Sequence, residues 1–249
     1  MIKLIAALVA IAAALASPVM AGELSGDYLY KVTSVRAAPG KLAALLDYYA
    51  ALKASGYYQK ASARPPLIMR HSQGDHWDLL VVSPMEGWFD YYSPRRGELR
   101  AKADDAAKDI LGRRADLVAF SEDVFAYGPD IKDVAGAFDA NGFFHIEMFN
   151  AAPGKGGDLF RQRERENAYL AATGQVENMI FWVEAGGDVD VFTIGFHPSL
   201  EAFAAPSPAS DDEKEAAAKA AGFKDRADIS FYLRSLISGH HDTLATKVD

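Results

Sequence analysis

The pentapeptide Ala37-Ala38-Pro39-Gly40-Lys41 returns as Ala151-Ala152-Pro153-Gly154-Lys155, each time after an alternating apolar segment and before a helix-like one. Farther along, Arg114-Ala115-Asp116-Leu117 is matched by Arg226-Ala227-Asp228-Ile229, so that Pro39 to Arg114 spans 75 positions and Pro153 to Arg226 spans 73. Two collinear matches at near-constant spacing mark a tandem duplication. Such a chain folds as two equivalent units or as one body made of two equivalent halves.

Within the first copy, the alternation of Tyr28 to Arg36 predicts a strand, and Leu42, Leu45, Leu46, Tyr49 and Leu52 trace the apolar stripe of a helix over 41–55. Leu67–His71 and Trp77–Ser83 read as a hairpin around Ser72-Gln73-Gly74-Asp75. A short turn at 86–92, a helix at 96–111 and a last strand within 116–127 complete a β-α-β-β-α-β unit. The second copy repeats the order, with strands at 143–149, 178–184, 190–196 and 228–237 and helices at 155–172 and 211–221. Ser93-Pro94 is mirrored by Ser207-Pro208, and Asp78 by Asp190. The predicted fold class is therefore α+β: two tandem ferredoxin-like units, at 22–128 and 143–241, joined by a linker at 129–142 and followed by a tail at 242–249. Each unit has an antiparallel sheet with helices on one face and the other face bare, so the bare faces pack together as an intrachain α/β barrel.

Residues 1–21 read as a signal peptide, with Lys3 ahead of an apolar run from Leu4 to Ala16 and small or apolar residues before a cleavage point after Ala21. The run is shorter than the ~20 residues of a spanning helix. The expected location is periplasmic or secreted, with no membrane association after cleavage. The chain has no cysteine, which excludes thiolate catalysis and thiolate metal sites and fits an exported protein without disulfides. A net charge of -8, with no run of Lys or Arg interleaved with aromatics, argues against nucleic acid as a partner.

In element order, duplication and the strand-Ala-Pro-Gly-Lys-helix junction, nearly the whole mature chain resembles the dimeric α+β barrel superfamily. Its members include antibiotic-biosynthesis monooxygenases and muconolactone isomerase-like, NIPSNAP-like and chlorite dismutase-like proteins. The resemblance implies the fold; it rests on no catalytic motif. Haem-binding members present their iron ligand from a helix, whereas none of the six histidines here falls in a predicted helix. No cofactor is expected on that basis.

The chemistry that the residues offer centres on Phe143-Phe144-His145-Ile146-Glu147-Met148-Phe149. Alternation puts His145 and Glu147 on one face, opposite Phe144, Ile146 and Met148, and the equivalent first-copy positions are Lys31 and Thr33. With the apolar face under the helices, His145 and Glu147 point into the space between the sheets, where a carboxylate can raise the imidazole pKa and fix its tautomer. The same parity places Arg70, Trp182, Tyr232 and Arg234 on that lining. Arg163 and Asn167, four apart on the second-copy helix, are placed to face a cavity between helix and sheet. His71 with His76, and His240 with His241, read as solvated turn and tail residues without the three or four convergent ligands of a metal site.

Three functions fit this pattern: a small-molecule-binding protein with its pocket in the second repeat, a cofactor-independent monooxygenase or isomerase with His145 as base and Glu147 orienting it, and a structural module assembling through its sheet edges, which would make a homo-oligomer. A polar bare face separates the first two from the third.

Overall fold

A computed structural model describes residues 24–248; the signal peptide read at 1–21 lies outside the described residues. The first half runs β1 (Tyr28–Ala37), α1 (Leu42–Ala54), α2 (Tyr57–Lys60), β2 (Leu67–Gln73), β3 (Leu79–Glu86), α3 (Trp88–Tyr91), α4 (Pro94–Ala106), α5 (Lys108–Leu111), α6 (Arg114–Leu117) and β4 (Val118–Gly128). Helix α7 (Ile131–Ala140) then leads into β5 (Phe143–Ala151), α8 (Gly156–Ala172), β6 (Asn178–Ala185), β7 (Val191–His197), α9 (Leu200–Ala204), α10 (Asp211–Ala220), α11 (Arg226–Leu236) and β8 (Ile237–Lys247). The strands close into one antiparallel barrel in the order β1-β3-β2-β8-β5-β7-β6-β4. The two four-stranded sheets thus face each other and also pair at both seams, β2 with β8 and β4 with β6. Each strand has two partners, so the sheet edges imagined as an assembly surface are consumed inside the chain.

The duplication is repeated bond for bond at the strand-to-helix junctions. Gly40 and Gly154 adopt φ of 74° and 75°, a left-handed conformation that makes Gly the residue for this turn. The N–H of Ala37 donates to Asp78 Oδ2 at 2.8 Å and that of Ala151 to Asp190 Oδ2 at 2.7 Å. Ala38 and Ala152 donate to Leu117 and Leu236 carbonyls, both at 2.8 Å.

The barrel interior is apolar and filled. Tyr30, Val32, Leu80 and Val82 of the first half meet Phe144, Ile146, Met148, Phe181, Phe192 and Ile194 of the second. Phe181 and Phe192 stack with ring centroids 4.6 Å apart. Each such full burial is worth about 1.5–3 kcal/mol. Helix α7 adds Ile131, Val134 and Phe138, at helical spacing, to this core. The linker expected at 129–142 is therefore a capped helix, started by the Asp130 carboxylate accepting from the Lys132 N–H at 2.8 Å.

Two expectations are corrected here. Phe144, Ile146 and Met148 face the barrel interior, and His145 and Glu147 face outward beneath the helices. Alternation identifies the residues that share a face; it does not say which face meets which layer, because both faces of these strands are covered. The second correction concerns the last strand, expected at 228–237. Asp225 accepts from the Asp228 N–H at 2.8 Å and caps α11, whose buried Leu233 and Leu236 follow helical spacing. The strand begins only at Ile237, so most of the expected tail, 242–247, is β8.

Candidate functional site

Helix α8 buries Leu159, Gln162, Arg163 and Asn167 against the outer face of β5, β6 and β7. An amphipathic helix normally spends such positions on apolar side chains; here three of the four are polar. Each is satisfied. Arg163, 2% exposed, donates Nη1 to Glu147 Oε2 at 3.4 Å, Nε to Gln162 Oε1 at 2.7 Å, and Nη2 to Glu166. Its guanidinium also lies 4.8 Å from the centroid of the Phe149 ring. Thr193 Oγ1 donates to Glu147 Oε2 at 3.1 Å. Asn167 clamps the helix to the start of β6, donating to the Asn178 carbonyl at 2.7 Å and accepting from the Asn178 N–H at 2.8 Å.

Beside this network opens a cavity of about 290 Å³ between α8, the sheet and the segment around α9. His145, Glu147, Glu166, Asn178, His197 and Phe203 contribute to its walls. Gly195, directly paired with His145 on β7, keeps the floor open: a Cβ there would stand 2.6 Å from Asn178 Oδ1 and 3.0 Å from His197 Nε2. The Phe203 ring centroid is 5.1 Å from both the His145 and the His197 rings.

On the far side of His145, Nε2 faces Asp242 Oδ1 at 3.7 Å, beyond hydrogen-bond length, so the pair interacts through charge. Asp242 is held in turn by His240 Nε2 at 3.1 Å, and His240 Nδ1 by Arg234 at 2.8 Å. Since Arg can only donate, His240 accepts at Nδ1 and turns its Nε2 toward Asp242. The ligand atoms of His145, Glu147 and Asp242 lie within 4.8 Å of one another, close enough to hold one metal ion.

Two carboxylates, Glu147 and Glu166, contact the Arg163 guanidinium, and a third, Asp242, faces His145 and His240. Burial pulls the His145 pKa down, but the contact with Asp242 and the charges of Glu147 and Glu166 outweigh it, leaving His145 above its ordinary value. Burial and the charge of His145 both push His197 below its own. Glu166 is raised by burial and by Glu147, against the pull of Arg163. Asp242 is lowered, chiefly by the His145 contact.

The structure thus gathers His145, Glu147, Arg163 and Asn167 from the residues singled out in sequence, with the first two on the cavity wall and the other two behind it. Trp182 sits under the first turn of α8 against Phe160, ring centroids 6.0 Å apart. Arg70 is exposed on β2. Tyr232 and Arg234 lie on α11 instead of a strand, and Arg234 reaches the site only through His240; the neutralising partner of Glu147 is Arg163. Asp242, Glu166, His197 and Phe203 were missed. Gln162 and Glu166, four apart on the buried stripe with Arg163, carried a readable signal. Asp242 was hidden by the misplaced last strand.

All six histidines lie on strands or in a turn, none on a helix. Among the described residues, no helix is long and apolar enough to cross a membrane. No family model and no curated protein matches the chain. Among solved structures, an anthrone oxidase-like protein superposes with TM-score 0.58 at 12% identity, covering 90% of this chain and 92% of that one. A candidate monooxygenase from Lactobacillus acidophilus superposes with TM-score 0.52 at 8% identity, covering 90% and 95%. At such identities the likeness is one of fold, and the fold is that of the α+β barrels with tandem ferredoxin-like halves.

Proposed function

We propose that the chain is an enzyme that moves a proton on a small, partly apolar molecule held between α8 and the sheet of the second half. One observation carries this reading: two imidazoles face one cavity across a shared phenyl ring, and their surroundings push their pKa values in opposite directions. Groups separated in this way are suited to opposite roles in one reaction. His145, backed by Asp242 and Glu147, accepts a proton from an acidic carbon or hydroxyl, and the carboxylates stabilise the imidazolium that forms. His197, kept neutral, donates an N–H to the oxygen on which negative charge develops. Its Nδ1 is buried and has no hydrogen-bond partner within the protein. Return of the proton to another carbon gives isomerisation. Capture of the carbanion by dioxygen, with one oxygen retained as a carbonyl and the other leaving as water, gives oxygenation without a cofactor. Asp242 takes the orienting role first assigned to Glu147, which Arg163 and Thr193 already occupy.

The test is exchange of acidic C–H hydrogens of aryl ketones and 1,3-dicarbonyl compounds into D2O, followed by NMR. Acceleration is expected with the native chain and a fall of about 10²–10⁴-fold with His145→Ala. Exchange unchanged by that substitution removes His145 as the base. The convergence of His145, Glu147 and Asp242 favours a second reading, in which a divalent ion held by the three acts as the electrophile. Under it, activity disappears on chelation and returns with added metal; under the first, chelation changes nothing.

A further inference from the structure

The first half has its own cavity between helix and sheet, which plays no part in the proposed reaction. It measures about 300 Å³, at the lower end of the roughly 300–1,000 Å³ of small-molecule sites. Helix α1 supplies Tyr48 and Tyr49 to its wall, α2 supplies Tyr57 and Tyr58, and β1 supplies Lys31 and Thr33. The rings form two edge-to-face pairs, Tyr48 with Tyr49 at 5.2 Å and Tyr57 with Tyr58 at 5.3 Å between centroids. Burial pushes all four phenols up, so they are neutral groups. Three charged side chains complete the wall: Lys31, Arg114 and Asp123. Lys31 Nζ faces Asp123 Oδ2 at 3.6 Å and Thr33 Oγ1 donates to Asp123 Oδ1 at 2.5 Å, so that carboxylate is matched. Arg114, half-buried at the start of α6, forms no ion pair with a carboxylate among the described residues. It stands beside Tyr48 and Tyr49, where its charge acts against the upward push of burial on both phenols. The wall thus carries one uncompensated positive charge. The second-half cavity has the opposite balance, with Glu147 and Glu166 on its wall and neither Lys nor Arg.

We propose that the first-half cavity binds a single-ring aromatic monocarboxylate, with its ring against the tyrosines and its carboxylate on Arg114. Tyrosine rings receive a flat ring offset or edge-on, at about 4.5–7 Å between centroids, and gain more from it than from an aliphatic chain of equal area. The planar guanidinium offers a carboxylate two parallel N–H donors, a match that the ammonium of Lys31 lacks. One negative charge fits where two do not, because Asp123 shares the wall and repels a second. The same molecule meets two carboxylates in the second-half cavity, so the halves select ligands by charge. The inference is independent of the proposed reaction.

Titration of the full chain with benzoate, followed by calorimetry and by transferred nuclear Overhauser effects, tests it, with benzamide as the neutral counterpart. One benzoate per chain is expected, its ring protons coupled to tyrosine protons. A hydrogen bond to a charged group is worth about 10–100-fold in affinity, so benzamide binds weaker by that factor, and Arg114→Gln weakens benzoate equally. His145→Ala leaves benzoate binding unchanged. The comparison of benzoate with benzamide uses the native chain and decides the matter even where Arg114→Gln is unstable. Absence of saturation up to about 10 mM benzoate overturns the inference, as does equal affinity for the two compounds. So does binding that survives Arg114→Gln and disappears in His145→Ala, because the ligand then sits in the second-half cavity.

Discussion

The two halves carry the same cavity between helix and sheet and line it with different chemistry. The first-half cavity, about 300 Å³, is walled by Lys31, Thr33, Tyr48, Tyr49, Leu52 and Asp123, among others. Register makes them the counterparts of the second-half site: Thr33 pairs with Asp123 as Glu147 pairs with Asp242, and Lys31 with Ser83 as His145 with Gly195. The common Pro-Gly junction aligns Tyr48, Tyr49 and Leu52 with Gln162, Arg163 and Glu166. Burial pushes the first-half phenols up, so they stay neutral hydroxyls at any physiological pH. The second half has exchanged phenol and leucine for a guanidinium, an amide and a carboxylate, and lysine for an imidazole. One scaffold thus holds a cavity lined with neutral tyrosines and another whose two histidines are shifted in opposite directions. The copies differ at the cavity wall and just behind it, while the junctions are preserved bond for bond.

Removing the central cation gives the largest contrast. Arg163→Ala strips Glu147 and Glu166 of their buried partner, and breaking a pair of this kind costs about 3–5 kcal/mol. The counterpart change, Tyr49→Phe, deletes one hydroxyl and costs about 0.5–1.5 kcal/mol. Urea denaturation of both variants checks this. Equal losses mean that the guanidinium network does not hold the second half together as its geometry indicates.

A smaller effect separates the cavity floors. Gly195→Ala inserts a methyl group against Asn178 and His197, an overpacking cost of about 1–3 kcal/mol, and narrows the cavity. Ser83→Ala, at the equivalent place, stays within about 0.5 kcal/mol. Stability together with proton-exchange activity reads both. A Gly195→Ala protein with native stability and full activity shows that the floor does not bound the substrate.

Much of this contrast could be read from the sequence. The duplication, the element order and the pairing of His145 with Glu147 on one strand face follow from period and repetition. Alternation left open which side of the strand meets the helix, because the barrel interior and the helix layer both demand burial. Asp242 escaped notice for a local reason: the apolar residues of 228–237 satisfy helical spacing as well as strand alternation, and the Asp225 cap decides between them. Once that boundary moves by one element, a tail residue becomes a strand neighbour of Glu147. His197 and Phe203 come from the end of β7 and the short α9, and no sequence pattern joins them to His145.

The subtlest contrast is in pH dependence. Asp242→Asn removes the contact that most raises His145, while burial, which pulls the other way, stays. The apparent pKa of His145, followed by NMR or as the rising limb of a pH–rate profile, must therefore fall in the variant. Stability carries the same sign. A histidine raised on folding contributes stability that is complete below its unfolded pKa, roughly 6.5, and is lost as pH rises through the folded value. Asp242, lowered on folding, contributes only above its own unfolded value, roughly 3.9, and loses that as pH falls through the folded one. The stability gap between native and Asp242→Asn proteins is therefore widest from about pH 4 to 6.5 and closes toward alkaline pH. Asp123→Asn in the first half removes a carboxylate that faces Lys31 at 3.6 Å and no imidazole, so its gap has no step near neutral pH. A step common to both variants would place the titrating group outside the second-half cavity, and the difference between the halves would then be one of packing alone.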